Sequence, residues 1–280
     1  MLLRPSLDQF IKVGQITTRF WEIGTAGTPL ILIHGAGGFI ENWSFNIDAL
    51  ATRNRVYALD LVGFGRSDKP ILHYSTIQLA GFVKNFMDTL NIDHATLIGN
   101  STGGAVALYT AFHIPERIRK LVLVDSAGFG KKASLTLRLL TLPLFGELLV
   151  RPNRLGVRYF LREILYNRER ITPEFVELCY ELFSLPGSQR AYLDTLRSMG
   201  TVRGAKDSFI NPILDKLPQL TIPVFIIWGK QDQQLPVEQA YIAHSKIRNS
   251  CLKIIEHCGH FAQYDKPSEF NESVINFLIS

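Results

Sequence analysis

Cysteine is scarce in this 280-residue chain: Cys179, Cys251 and Cys258 are the three, with no C-x-x-C spacing among them. So odd and scattered a set excludes a disulfide framework and a thiolate zinc site. It fits a reducing compartment, and the cytoplasm is the expected location. No apolar run approaches the ~18 residues that span a bilayer. The opening MLLRPSLDQF reaches Pro5 and Asp8 before any apolar stretch of signal-peptide length, so no secretory leader is expected. Also missing are G-x-x-x-x-G-K-[ST], G-x-G-x-x-G and H-E-x-x-H, which removes phosphate-loop, dinucleotide and zinc-hydrolase chemistry. Neither a cofactor nor a metal is expected. Internal repeats and low-complexity tracts are lacking too.

What is present is globular: 46% hydrophobic and 20% charged residues, with a mean hydropathy of +0.10. That composition builds one large domain or two small ones and rules out disorder. The net charge of +5 is not spread evenly. Residues 129–220 hold 14 Lys+Arg against 9 Asp+Glu, a surplus equal to that of the whole chain. A basic middle third favours anionic partners only if the charge is focused; a solvated helical face is the plainer reading. A nucleic-acid partner is not expected.

Short apolar runs punctuated by Gly, Pro, Asp or His read as buried strands at 28–33, 55–59, 95–98, 120–124, 223–228 and 251–255. Helical patterns fall between and after them, at 76–90, 103–113, 237–244 and 268–279. Alternation of this kind implies an α/β fold with a mostly parallel sheet and helices on both faces. Residues 10–23 alternate more loosely and suit one or two antiparallel edge strands. Residues 129–220 break the rhythm: they carry amphipathic patterns interrupted by Pro143, Pro152, Pro173, Pro186 and Pro212, and no convincing strand. They read as a helical insertion, a cap, into a core formed by 1–128 and 221–280. An insertion at the carboxyl ends of parallel strands lies over the ligand crevice of such sheets.

Gly99-Asn100-Ser101-Thr102-Gly103 follows one of these strands and opens a helix, which is G-x-S-x-G in its required context. The glycines permit a turn sharp enough to lift Ser101 off the sheet edge. A serine hydroxyl needs a base, and the base needs an orienting acid. Asp232 lies just past the 223–228 strand and His260 just past the 251–255 strand, both on the edge that carries Ser101. Asp125 is the rival acid and His257 the rival base. Oxyanion donors are expected from the backbone of Thr102 and of Ala36, in the loop His34-Gly35-Ala36-Gly37-Gly38. Gly37 is the next choice there, and His34 reads as a residue that holds the loop. Asp60-Leu-Val-Gly63-Phe-Gly65-Arg66-Ser67-Asp68 reads as a tight loop after a strand.

Together these segments resemble the α/β-hydrolase family: HGAGG, DLVGFGRSDKP, GNSTGG, PVFIIWGKQD and GHFAQYDKPSEF, in order and covering most of the body. GNSTGGAVAL and GHFAQY look most like the carbon–carbon bond hydrolases that cut ring-cleavage products of aromatic compounds. The resemblance implies a serine hydrolase acting on a carboxylic ester or such a carbon–carbon bond, with Gly37 and Phe261 touching substrate. The chain departs from that narrower pattern in two places. No proline follows HGAG, and 171–189 holds no arginine; Arg190 and Arg197 lie further on. A perhydrolase or haloperoxidase using the same triad is the alternative enzyme, and a non-catalytic binder on the same fold is the third reading.

Residues 135–150 (LTLRLLTLPLFGELLV) are strongly apolar, with Lys131, Lys132, Arg138, Arg151 and Arg154 around them. That pattern describes either a segment resting on an anionic lipid surface or a helix packed over an apolar pocket. Pro143 and Gly146 interrupt any continuous amphipathic face, so the pocket is the preferred reading. The partner expected is a small-molecule substrate, with no stable membrane insertion, weak surface association left open and oligomeric state unspecified.

Overall fold

Nearly every apolar run ended by Gly, Asp or His becomes a strand in the computed structural model, which describes residues 4–280. An antiparallel pair opens the chain, β1 (Gln9–Val13) and β2 (Ile16–Ile23). Then come β3 (Pro29–Ile33), α1 (Ile47–Ala51), β4 (Arg55–Leu59) and α2 (Thr76–Thr89). They are followed by β5 (Ala95–Asn100), α3 (Thr102–His113) and β6 (Ile118–Val124). After a long excursion the chain returns with β9 (Val224–Gly229), α10 (Glu238–Lys246), β10 (Ser250–Ile255), α11 (Ala262–Asp265) and α12 (Pro267–Ile279).

The excursion contains α4 (Leu135–Leu140), α5 (Phe145–Leu149), α6 (Arg154–Ile164), α7 (Pro173–Ser184), α8 (Ser188–Met199) and α9 (Asp207–Lys216). It also contains two short antiparallel strands, β7 (Gly200–Thr201) and β8 (Gly204–Ala205). The expectation of no strand between 129 and 220 is corrected by this ribbon, too short to leave a period-2 pattern. Gly204, at φ +110°, closes its turn.

The strands form one eight-stranded sheet in the order β1-β2-β4-β3-β5-β6-β9-β10, parallel from β4 to β10. The chain winds outward from β3 to β4, then returns to place β5 on the other side of β3. That reversal opens a crevice beyond the carboxyl ends of β3 and β5, where ligands bind in sheets of this kind. Alternation divides the core between the faces. Leu97, Leu121, Leu123 and Ile226 pack with α2 and α3, while Ile98, Val122, Val124 and Ile227 pack with Trp43 and Phe270. A third cluster, including Phe39, Leu161, Phe175, Leu182 and Tyr264, fastens the helical excursion to the body. Among the described residues no helix is long and apolar enough to cross a membrane.

The loop after β3 is braced from beneath. Arg19, buried on β2, pairs with Asp8 at 2.6 Å, Glu41 at 2.7 Å and Asp60 at 3.2 Å. Asp60 also accepts the N–H of Ile40 at 2.8 Å and of Arg66 at 2.7 Å. A Cβ on Gly65 would collide with the Asp60 carboxylate. The glycines of 60–68 therefore serve a tight loop that supports its neighbour. Removing one partner from so dry a cluster would leave an uncompensated buried charge.

Candidate active site

Three strand ends converge on the crevice. β5 ends at Asn100, and Ser101 turns the chain into α3 with φ +55° and ψ −121°, a conformation costly for any side chain. The surroundings enforce it: a Cβ on Gly99 would strike the Gly103 carbonyl, and one on Gly103 would strike the carbonyls of Ile33 and His34. Strand and helix can approach this closely only through glycine. Ser101 N–H donates to Val124 O at 2.9 Å, and Ala127 N–H donates to Ser101 O at 3.0 Å, which pins the turn to the end of β6.

Beyond β9, the Asp232 side chain is fully buried and uses both oxygens. Oδ1 accepts the N–H groups of Gln234 at 2.7 Å and Leu235 at 3.0 Å. Oδ2 lies 2.8 Å from His260 Nδ1, and His260 is itself almost fully buried. The rival acid is placed elsewhere. Asp125 accepts the N–H of Gly229 at 2.7 Å and of Ala262 at 3.2 Å, so it ties the end of β9 to the start of α11. Burial, then the nearby charge of Asp232, hold its carboxyl well above the usual range. The rival base His257 is exposed, with Nδ1 3.2 Å from Tyr166 Oη.

His260 is held through its backbone as well. Its carbonyl accepts from Asn100 Nδ2 at 3.1 Å, the residue just before Ser101. Its N–H donates to Ile164 O, at the last residue of α6, at 2.8 Å. Asp265 completes the tether, accepting from Tyr166 N–H at 2.8 Å, Asn167 N–H at 2.9 Å and Gly259 N–H at 2.7 Å. Gln234 reaches the same helix, donating to Glu163 Oε2 at 3.1 Å. Asn100, Asp265 and Gln234 were not anticipated from sequence, where nothing marks a polar residue whose partner lies roughly 70–160 positions away.

The loop after β3 turns tightly, with Gly38 N–H on Gly35 O at 3.0 Å and Gly37 at φ +74°. Gly35 lies so near Ser101 that a Cβ there would sit 3.0 Å from the serine Cβ. His34 is buried beneath: Nε2 accepts Leu61 N–H at 3.0 Å, so Nδ1 carries the proton donated to Gly35 O at 2.7 Å. Burial pulls its pKa down to about 4. Among the described residues neither Ala36 N–H nor Thr102 N–H is taken by another protein group.

Two cavities meet here. The smaller, about 100 Å³, is lined by Ser101, Thr102, Ala36 and His260 together with Gln234 and Gln239. The larger, about 550 Å³, is mostly apolar and includes Gly37, Phe145, Cys179 and Phe183. Ala36, Phe160, Ile164, Tyr192 and Phe261 line both, so the chambers adjoin along these residues. No hydrogen bond joins Ser101 Oγ to His260 among the described residues; such contacts often close only around a bound substrate. Gln239 Oε1, buried beside the small chamber, has no partner. Among the described residues no group of three or more His, Cys, Asp and Glu is placed to hold a metal ion.

Residues 28–267 match the family described as alpha/beta hydrolase fold. A 2-hydroxy-6-oxo-6-(2'-aminophenyl)hexa-2,4-dienoic acid hydrolase of Metapseudomonas resinovorans is 30% identical, over 97% of this chain and 91% of its own. An uncharacterised protein of Mycobacterium tuberculosis is 34% identical, over 99% of this chain and 84% of its own. The solved meta-cleavage product hydrolase of Pseudomonas fluorescens IP01 superposes with a TM-score of 0.85 at 27% identity, covering 98% of each chain.

Proposed function

Since this chain belongs to the α/β-hydrolase family, we propose that it is a serine hydrolase in which Ser101, His260 and Asp232 act as the catalytic triad. Ser101 Oγ attacks a substrate carbonyl carbon while His260 Nε2 takes the hydroxyl proton. Asp232 keeps the other imidazole proton on Nδ1 and stabilises the imidazolium that forms. The carbonyl oxygen becomes an oxyanion held by the N–H groups of Thr102 and Ala36, the former at the positive end of α3. His260 then gives its proton to the leaving group as the carbon–oxygen or carbon–carbon bond breaks. Water, deprotonated by the same histidine, releases the acid and restores Ser101. A carbon–carbon substrate would first ketonise, so that its leaving carbon departs as a stabilised carbanion equivalent.

The observation that carries this reading is His260, held at 2.8 Å by the buried Asp232 carboxylate, lining one cavity with a serine on a strained turn. Residues 129–220 are read as the cap that shapes the cavity. The substrate we propose is a small to medium apolar carbonyl compound: a carboxylic ester, or the carbon–carbon bond of a ring-cleavage product such as those named for the relatives. The 550 Å³ chamber suits an apolar acyl or aryl portion, within the range usual for small-molecule sites. Lys132 and Arg138 line the smaller chamber and favour the dienoate, whose carboxylate they would meet. A panel of chromogenic esters of graded acyl length, run beside a dienoate ring-cleavage product, distinguishes the two. Ser101→Ala should lower turnover of the preferred substrate by ~10⁴–10⁶-fold, and a fluorophosphonate should label Ser101 alone. Activity within tenfold of wild type would overturn the mechanism.

A further inference from the structure

The interruption of 135–150 at Pro143 is real, since α4 ends at Leu140 and α5 begins at Phe145. Yet the apolar side chains there do not all pack inward. Of the sixteen large hydrophobic residues exposed among the described residues, seven lie within 135–159, less than a tenth of the chain. Leu144 is 85% exposed, Leu155 82%, Tyr159 64% and Leu148 56%, with Phe145 and Leu149 beside them. Phe145, Leu149, Leu155 and Tyr159 also line the 550 Å³ chamber, so the same patch forms the rim of its opening between α5 and α6. An apolar cavity thus opens through an apolar mouth.

Two further observations bear on what covers this face. The backbone at Leu144 adopts φ +64° and ψ −43°, with Phe145 N–H bonded to Pro143 O at 2.8 Å. This is a γ-turn of the rare, strained hand. Strain at a residue whose side chain projects into solvent points to a requirement outside the fold. Charge is the second. Residues 135–162 hold five arginines and a single acid, Glu147, which is engaged by Arg197 at 2.6 Å. On α6, Arg154, Arg158 and Arg162 recur every four residues beside Leu155 and Tyr159. All three arginines are exposed, as is Arg151. Arg154 pairs with Glu177; Arg151, Arg158 and Arg162 have no carboxylate partner among the described residues.

We propose that the α5–α6 face docks on an anionic lipid surface, with Leu144, Leu148 and Leu155 entering the headgroup–acyl boundary and the arginines meeting lipid phosphates. An apolar column beside a basic one is what interfacial helices present to such surfaces. The chamber mouth then opens into the lipid, so that an apolar acyl substrate enters without crossing water. That last step rests on the hydrolase reading; docking itself does not. A second copy of the chain is the competing occupant, but two such faces would bring their unpaired arginines together.

Flotation decides the matter, using vesicles of phosphatidylcholine with and without about one-third phosphatidylglycerol. The full chain and its Ser101→Ala variant should both rise with the anionic vesicles, less so as salt is added. Leu144→Asp/Leu148→Asp, two positions outside both cavities, should abolish flotation while the thermal unfolding midpoint stays put. Each arginine near such a surface is worth roughly fivefold in partitioning, so Arg158→Glu/Arg162→Glu should lower it at least ~25-fold. The proposal is overturned if wild type stays behind with anionic vesicles at low salt, or if neither double variant changes its flotation. It is overturned equally if light scattering finds a dimer that the leucine variant dissolves and vesicles leave intact. Failure of flotation leaves the triad standing, and an active Ser101→Ala leaves the docking standing.

Discussion

Replacing Asp232 by Asn tests the proposed triad through one imidazole proton. Asp232 Oδ1 accepts two backbone N–H groups, from Gln234 and Leu235, while Oδ2 faces His260 Nδ1. Asparagine has one acceptor oxygen, and the two N–H groups claim it. Its NH₂ then points at His260 Nδ1, which must become an acceptor, so the ring proton moves to Nε2. A histidine protonated there cannot receive the Ser101 proton. Restoring the useful tautomer means turning the amide over, which sets NH₂ against two buried donors and forfeits two hydrogen bonds. At about 1–3 kcal/mol for each buried group left unsatisfied, the productive form costs roughly 2–6 kcal/mol. That lowers kcat on the order of 10²–10⁴-fold. The assay is kcat on the best ester or dienoate, with the unfolding midpoint measured in parallel. Asp232→Asn within tenfold of wild type would refute the reasoning, as would an Asp125→Asn that loses kcat by more while remaining folded.

Two further predictions concern the scaffold under the site. His34 is held neutral, with its pKa near 4, against an unfolded reference of ~6.5. The unfolded chain therefore binds more protons between those values, and stability falls as pH drops from about 6.5 to about 4, by up to ~3 kcal/mol. His34→Gln, able to donate and accept but not to titrate, should show a flatter stability profile over that window in urea unfolding; parallel profiles would refute the assignment. Gly103→Ala places a methyl group on the carbonyls of Ile33 and His34, and should cost at least ~2–3 kcal/mol. Circular dichroism melts showing wild-type stability for it would mean that the β3–α3 contact is looser than described.

The legible features were those written in contiguous residues. An apolar run stopped by glycine or a polar residue is a local demand, and β3, β4, β5, β9 and β10 lie within two residues of where that demand puts them. The Gly99–Gly103 turn was readable for the same reason, because its two glycines answer collisions with near neighbours in space that the motif itself implies. What escaped was either too short to leave a pattern or long-range. The short α1 has no periodicity to read, and the β7–β8 ribbon is held by four residues. The double use of 135–159, with Leu140 and Val150 buried and Leu144 and Leu148 outside, depends on how α4, α5 and α6 fold over the chamber. No window of sequence contains that information.

The hydrogen bond from His260 N–H to Ile164 O, with Asp265 clasping Tyr166 and Asn167, makes the end of α6 and the histidine loop one mechanical part. The chamber wall is therefore fastened at both ends: to the His260 loop at Ile164, and to α7 at the mouth through the Arg154–Glu177 pair. The same joint constrains exchange of parts: a replacement for 129–220 must offer a carbonyl where Ile164 has one and two N–H groups where Tyr166 and Asn167 have theirs. A graft lacking them would reshape the chamber and displace His260 in one stroke.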